Sequence, residues 1–177
     1  MEVKKKLHCD IGDKNTVLGK LFHMDTVINQ KTTMGTVYSM HSLLHYLTHN
    51  NESLENISKP VTKKRLEKAE KRKFGTVKNF WAIITKILLE YITRNPQVQE
   101  KLKETQGNEI VYLETVYDNG QPTLKYTKPV TKKYAEIISE ARNLCLKDQI
   151  QDKVAIENLI KKYMVTEDLF DGLSDIM

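Results

Sequence analysis

Three histidines at intervals of four residues are the first side chains in this chain whose pattern points to chemistry. His41, His45 and His49 fall within residues 39–49, where the apolar period predicts a helix with Ser39 as its N-cap. Histidines at positions i and i+4 lie on one helix face and can share a metal ion, although a zinc site needs further ligands. The alternatives are that the rings line a ligand cleft or face the solvent. We predict that no metal ion or cofactor is bound.

The second signal is a repeated hexapeptide that places two lysines at the predicted start of a helix. The residues Lys-Pro-Val-Thr-Lys-Lys occur at positions 59–64 and again at positions 128–133. Proline is tolerated in the first turn of a helix, where unpaired N–H groups and the helix dipole favour an anion. The alternative is that a lysine-rich chain reuses one helix-start signal. The predicted phosphate-binding lysines are Lys63, Lys64, Lys132 and Lys133.

The charge distribution favours anionic partners. The net charge is +5 and the isoelectric point is about 9.0. Basic residues are concentrated in the segment Lys59–Lys73, which holds eight lysines and arginines against two glutamates. Because this segment contains no aromatic residue, it predicts contacts to the phosphates of a polyanion rather than stacking on bases. A solvated basic helix is the alternative interpretation.

The last residues of the sequence combine acidic and apolar side chains. Residues 167–177 contain four acidic residues and no basic residue. Their apolar side chains recur with helical spacing, which predicts either anchors for the groove of a protein partner or a last helix packed on its own domain. The predicted partner-binding residues are Leu169, Phe170, Leu173 and Ile176.

Apolar periodicity predicts an α+β fold, a mostly helical single domain over residues 1–165, followed by an acidic amphipathic peptide at 166–177. Alternating Val, Ile, Thr and Tyr residues around Asp118-Asn119-Gly120 predict a small antiparallel sheet or hairpin near residues 109–126. Short strands and turns are expected before residue 39. The predicted helices lie at residues 39–49, 60–73, 77–94, 97–105, 131–147 and 152–164.

Composition excludes several classes of protein. Cys9 and Cys145 are too few for a disulfide framework, and the N-terminus lacks the apolar run of a signal peptide. The longest apolar stretch, near residues 81–89, is too short to cross a bilayer. No glycine-rich phosphate loop is present. We therefore expect a cytoplasmic protein without a membrane partner.

Two more side chains are candidates for a site. Trp81 adjoins the apolar face of the predicted helix at 77–94, where it serves either the core or a stacking surface for a ligand. Asp118 lies at a predicted hairpin tip, where it acts either as a turn former or as a carboxylate for chemistry.

A longer series of motifs runs from residue 57 to residue 111. It begins with Ile-x-x-Pro-x-x-x-Lys-Arg-Leu at 57–66, continues through an amphipathic helix ending Asn95-Pro96-x-Val98, and closes with Leu102, Thr105, Gly107 and Ile110-Val111. This series resembles the NADAR family, N-glycosidases associated with NAD and ADP-ribose chemistry. His41, Glu140 and Arg142 also match family positions.

The resemblance implies a domain that binds, and in an active member hydrolyses, an ADP-ribosyl or phosphoribosyl N-glycoside. It implies that His41 and His45 line the ligand cleft. The predicted catalytic residues are His41 and Asp118, and His45 and Trp81 are predicted ligand-binding residues. Met40 occupies the position of the glutamate that is central to the family's chemistry. Because cleavage of an N-glycosidic bond needs a carboxylate or its equivalent, the chain is either a divergent enzyme or a catalytically inactive binder of an ADP-ribose-like nucleotide.

Two hypotheses from other classes stay open. The chain is alternatively a non-enzymatic interaction protein, for example a viral factor, that binds host machinery or nucleic acid through Lys59–Lys73 and the peptide 166–177. The third hypothesis is a metal-dependent hydrolase built on His41 and His45.

Overall fold

Helices make up most of the protein, which confirms the prediction of a mostly helical α+β fold. The computed structural model describes residues 8–69, 79–125 and 129–164. The helices are α1 Val17–Phe22, α2 Met40–Thr48, α3 Lys63–Glu67, α4 Phe80–Arg94, α5 Pro96–Glu104, α6 Pro129–Leu146 and α7 Lys153–Lys162, with a 3₁₀ helix at Leu54–Ser58. The strands are β1 His8–Asp10, β2 Val27–Thr32, β3 Gly35–Ser39, β4 Glu109–Val111, β5 Glu114–Asp118 and β6 Gln121–Lys125.

Helix α4 runs through the hydrophobic core and contacts α2, α5, α6 and α7. Its apolar residues recur every three to four positions, so Ile84, Leu88 and Ile92 are fully buried along one face. The helix ends at Arg94, and Pro96 begins α5 at a position where its missing N–H costs no helical hydrogen bond. The predicted end of a helix before Asn95-Pro96 and the predicted helix after it are both confirmed.

The predicted hairpin is confirmed, but over a shorter range. Strands β5 and β6 are antiparallel, and Asp118 pairs with Gln121 across a two-residue turn. Asn119 and Gly120 have φ angles of 52° and 78°, as a twist-compatible two-residue turn requires. Strand β4 does not belong to this hairpin, because it pairs in parallel with β1.

Two residues outside the strands, Tyr112 and Leu113, separate β4 from β5. The backbone N–H groups of Gly12 and Leu113 both donate to the Asp10 carboxylate, at 2.8 and 3.1 Å. A Cβ atom at Gly12 would lie 2.5 Å from the Leu113 carbonyl oxygen, so only glycine fits there. The hairpin that the sequence predicts near residues 109–126 therefore begins only at Glu114, after this interruption.

The region before residue 39 contains the expected strands and one helix that the sequence pattern did not predict. Strands β2 and β3 form an antiparallel hairpin in which Val27 pairs with Ser39. Helix α1 is short, and the Thr16 side chain caps it by accepting from the Gly19 N–H at 2.9 Å. Such a short helix shows too little periodicity to be detected.

Both copies of the repeated hexapeptide begin helices, as predicted, but at different positions. In the first copy Thr62 is the N-cap and α3 begins at Lys63, whereas in the second copy α6 begins at Pro129 itself. The described helix in the basic segment ends at Glu67, shorter than the predicted helix at 60–73. Residues 70–78 and 165–177 lie outside the described residues. Within the described part of the chain, no helix has the length and apolar character needed to cross a membrane.

Candidate functional site

Helix α2 places its three histidines in different surroundings. Ser39 caps the helix by accepting from the Ser42 N–H at 3.1 Å. The Ser42 hydroxyl donates to the Lys59 carbonyl at 2.6 Å and so fastens the chain before α3 to the start of α2. Along the same helix, His41 is partly exposed while His45 and His49 are buried.

Beside α2, a buried carboxylate binds an arginine from α3. The Arg65 Nε lies 3.0 and 2.9 Å from the two carboxylate oxygens of Glu52. Another nitrogen of the same guanidinium donates to the carbonyls of Lys59 and Pro60 at 3.1 and 3.3 Å. Charge-assisted bonds of this kind are about twice as strong as neutral ones. Arg65 therefore fixes the backbone that leads into α3.

His45 adjoins this ion pair as a neutral ring. Its Nδ1 atom lies 3.0 Å from a Glu52 oxygen without the alignment of a hydrogen bond, and its ring stacks on that of His49 at 3.9 Å. Burial and the neighbouring His49 lower the pKa of His45 to about 4, although Glu52 opposes this effect. Burial alone would raise the pKa of Glu52, but hydrogen bonds from Arg65 and Asn56 lower it below its ordinary value. At neutral pH the pair Glu52–Arg65 is ionised and His45 is not.

A pocket of about 560 Å³, here called the basic pocket, lies at the first copy of the hexapeptide. The described residues that line it include four bases and no acid. Since Glu52 neutralises Arg65, the charge of the pocket comes from its lysines, which have no ion-pair partner among the described residues. The polar and charged residues of the lining are Asn56, Lys59, Thr62, Lys64, Arg65 and Lys68.

A second group of polar side chains, here called the Asp25 cluster, surrounds a surface carboxylate. His41 Nδ1 and Lys14 Nζ each lie 3.0 Å from Asp25, on different oxygens. The hydrogen bond from His41, with that from Lys14, holds the pKa of Asp25 well below its usual range in spite of partial burial. Burial lowers the pKa of His23, whose Nδ1 lies 3.8 Å from the same carboxylate. Asp25 is thus an ionised partner for His41.

The predicted ligand-binding residues separate into two groups in the structure. Lys64 lines the basic pocket, and His45 contacts Glu52 without lining the pocket. Lys63 is the exposed first residue of α3. In the second copy, Lys132 is exposed, and Lys133 lies 3.5 Å from Glu136 and over the ring of Tyr163. Neither lysine of the second copy is among the described residues that line the basic pocket.

Trp81 belongs to the hydrophobic core. Its side chain is 2 % exposed and packs edge-on against Phe80 with ring centroids 5.1 Å apart. A buried indole offers no free face to a ligand, so Trp81 serves the core and not a ligand site.

Other predicted site residues lie wholly or partly beyond what the structure describes. Asp118 ends β5 beside the turn, and its side chain lies outside the described part. The same holds for the whole of the acidic peptide with its four apolar residues, Leu169, Phe170, Leu173 and Ile176. Among the described residues, no group of three His, Cys, Asp or Glu side chains is placed to hold a metal ion.

The sequence pattern did not point to Glu52 and Asp25, the carboxylates that pair with Arg65 and His41 in the structure. Glu52 follows two asparagines and looks like part of a polar turn, and Asp25 stands among scattered apolar residues. Arg65 was visible only as one base among many, although it occupies the arginine position of the Lys-Arg-Leu motif. Comparisons with protein-family models, with curated proteins and with solved structures find no match to this chain.

Proposed function

We propose that the chain is a NADAR-like domain that binds a phosphorylated ribose ligand of the ADP-ribose class in the basic pocket. The observation that carries the proposal is the placement of Lys59, Lys64 and Lys68 around a cavity of about 560 Å³. Small-molecule sites span roughly 300–1,000 Å³, and clustered lysines match the charge of a diphosphate. The resemblance of residues 57–111 to the NADAR family selects ribose-linked phosphates among the anions of this size.

Arg65 stabilises the backbone around the pocket instead of contacting the ligand. Its guanidinium is held by Glu52 and by two backbone carbonyls, so it is not available as a direct phosphate ligand. These bonds order the segment 59–65 before any ligand arrives. A preorganised loop loses less conformational entropy on binding, which increases the affinity.

Binding without cleavage is the activity that the described residues favour. Attack on an N-glycosidic bond needs a carboxylate or an equivalent base near the ribose. None of the described residues lining the basic pocket is acidic, and Met40 is 2 % exposed in the core. The pair Asp25–His41 has acid–base character but does not line this pocket.

Calorimetric titration of the full chain with ADP-ribose, NAD and ribose 5-phosphate tests the proposal. We expect Lys64→Ala and Lys68→Ala each to weaken ADP-ribose binding about tenfold, because each removes a charge-assisted phosphate contact. Lys86→Ala is the matched control, since Lys86 is an exposed lysine of α4 away from the pocket lining. No binding of any of the three ligands, or equal losses in all three variants, would overturn the proposal.

The interaction-protein hypothesis gives a different result in the same experiment. A single-stranded oligonucleotide bound along the basic segment would lose roughly a thousandfold in affinity between about 50 and 200 mM salt. A ligand with two phosphates would lose much less over this range. Strong, salt-sensitive oligonucleotide binding without nucleotide binding would replace the proposed function with polyanion binding.

A further inference from the structure

A groove at the C-terminal end of α4 is lined by apolar side chains and two lysines. It has a volume of about 870 Å³ and is formed by α1, the end of α4 and the start of α5. Val17, at the start of α1, is 56 % exposed. Leu21 is partly exposed, whereas Tyr91 and Val98 line the groove with most of their surface buried. A concave site with an apolar lining and a few charged groups is the usual form of a binding site. The residues that determine its character are Val17, Leu21, Tyr91, Val98, Lys20 and Lys101.

The charge of the groove specifies the chemistry of its occupant. Lys20 and Lys101 are exposed, and none of the described residues lining the groove is acidic. Lys101 lies 3.3 Å from Glu104, but an exposed pair within one helix contributes little and exchanges readily. A complementary occupant therefore carries carboxylates beside apolar side chains.

The chain itself contains a segment with this composition. Residues 166–177 have four carboxylates and no base, and their apolar residues are Leu169, Phe170, Leu173 and Ile176. We propose that residues 166–177 bind in the groove of the same chain, with their apolar side chains on Val17 and Leu21 and their carboxylates on Lys20 and Lys101. This proposal does not depend on the function of the basic pocket.

The point at which the described chain ends makes this contact feasible. At the end of α7, the Tyr163 hydroxyl donates to Glu136 on α6 at 3.2 Å. Two residues earlier on α6, Tyr134 donates to the Phe22 carbonyl at 2.8 Å, at the end of α1. Since the segment 165–177 can span up to about 40 Å when extended, it reaches the α1 side of the groove without rearrangement of the helices.

Carbodiimide cross-linking of the full chain, followed by mass spectrometry, tests the proposal. This reagent joins carboxylates to amines only where they are in direct contact. We expect links from Glu167, Asp168, Asp171 or Asp175 to Lys20 or Lys101. A mixture of ¹⁴N- and ¹⁵N-labelled chains should give links within one isotope only, because the contact is intramolecular.

Two variants of similar exposure provide the control. Val17→Asp adds a carboxylate at a helix start, which the dipole tolerates, but repels the acidic segment, so the yield of these links should fall about tenfold. Val154→Asp, at a residue 65 % exposed on α7, should leave the yield unchanged. Methyl NMR signals of Val17 should also shift in Phe170→Ala and not in Met177→Ala.

Each other outcome overturns the proposal. Links directed to Lys59–Lys68 would place the acidic segment on the basic pocket, and links between isotopes would assign the groove to a second copy of the chain. Equal yields in Val17→Asp and wild type, or the absence of links together with unchanged Val17 signals in Phe170→Ala, would show that the groove does not bind this segment.

Discussion

The ion pair between Glu52 and Arg65 holds the backbone that lines the basic pocket. Both side chains of the pair are largely buried. Their side chains are 4 % and 10 % exposed. A buried ion pair adds little net stability compared with apolar residues of the same shape, but the loss of one partner leaves a costly buried charge. The loss of stability on replacing one partner therefore tests whether the ion pair is formed.

Glu52→Gln should lower the free energy of unfolding by about 3 kcal/mol, because Arg65 keeps its charge and loses its ionised partner. Urea unfolding at neutral pH measures this change. Glu55→Gln, in the same region but exposed, should stay within about 0.5 kcal/mol of wild type. The double variant Glu52→Gln/Arg65→Met should recover part of the loss. A Glu52→Gln protein with wild-type stability would contradict the buried pair.

His45 should make the protein less stable in mild acid. Its pKa is lowered from 6.5 to about 4, chiefly by burial. Between these values the unfolded chain binds more protons than the folded chain, so stability falls as the pH falls through this window. For this residue the loss is on the order of 3 kcal/mol once the pH is below both values. Urea midpoints measured from pH 7 downward report the effect.

The variant His45→Gln removes the titrating ring, so its urea midpoint should change less with pH than that of wild type. Burial also lowers the pKa of His23, so part of the pH dependence persists in this variant. His23→Asn is the matched comparison at a partly exposed site. Identical pH profiles for His45→Gln and wild type would show that the ring is not buried as a neutral group.

At the scale of the element, α3 is too short to be stable without its cap and its contacts. The Thr62 hydroxyl accepts from the Arg65 N–H at 3.2 Å. Thr62→Ala removes this bond at an N-cap, so we expect a loss of about 1 kcal/mol and weaker ADP-ribose binding, since α3 carries Lys64. Thr62→Ser keeps the oxygen and should behave like wild type. If both variants bind equally, the cap does not contribute to the pocket.

Elements determined by neighbouring residues could be predicted from the sequence, and those determined by contacts between residues far apart in sequence could not. Ser39 before an apolar helix, Pro96 after Asn95 and Asn119-Gly120 between alternating residues each act within a few positions, and all three predictions are confirmed. The parallel pairing of β1 with β4 joins Cys9 to Ile110 and leaves no local pattern. Helix α1 depends on one cap and a few buried residues, which single-sequence periodicity does not detect.

At the scale of the whole molecule, the sequence pattern points to residue types for a site but not to the contacts between them. The spacing of the hexapeptide and of the histidines singles out Lys64 and His45, of which Lys64 lines the basic pocket and His45 contacts Glu52. The pairs Glu52–Arg65 and Asp25–His41 join residues 13 and 16 positions apart through folded loops. No periodic pattern connects positions across such loops, so only a three-dimensional structure reveals these partners.

The parallel pair β1–β4 has a consequence for the order in which the molecule assembles. It joins His8 to Glu109, so a loop of about a hundred residues must close before the pair can form, and contacts of such long sequence separation slow folding. The described residues that line the basic pocket, and the side chains of Ser42 and Glu52 that hold them, all lie within residues 42–68. Hydrogen exchange during refolding would then protect α2 and the segment before α3 ahead of β1. The basic pocket would then be complete before β1 pairs with β4.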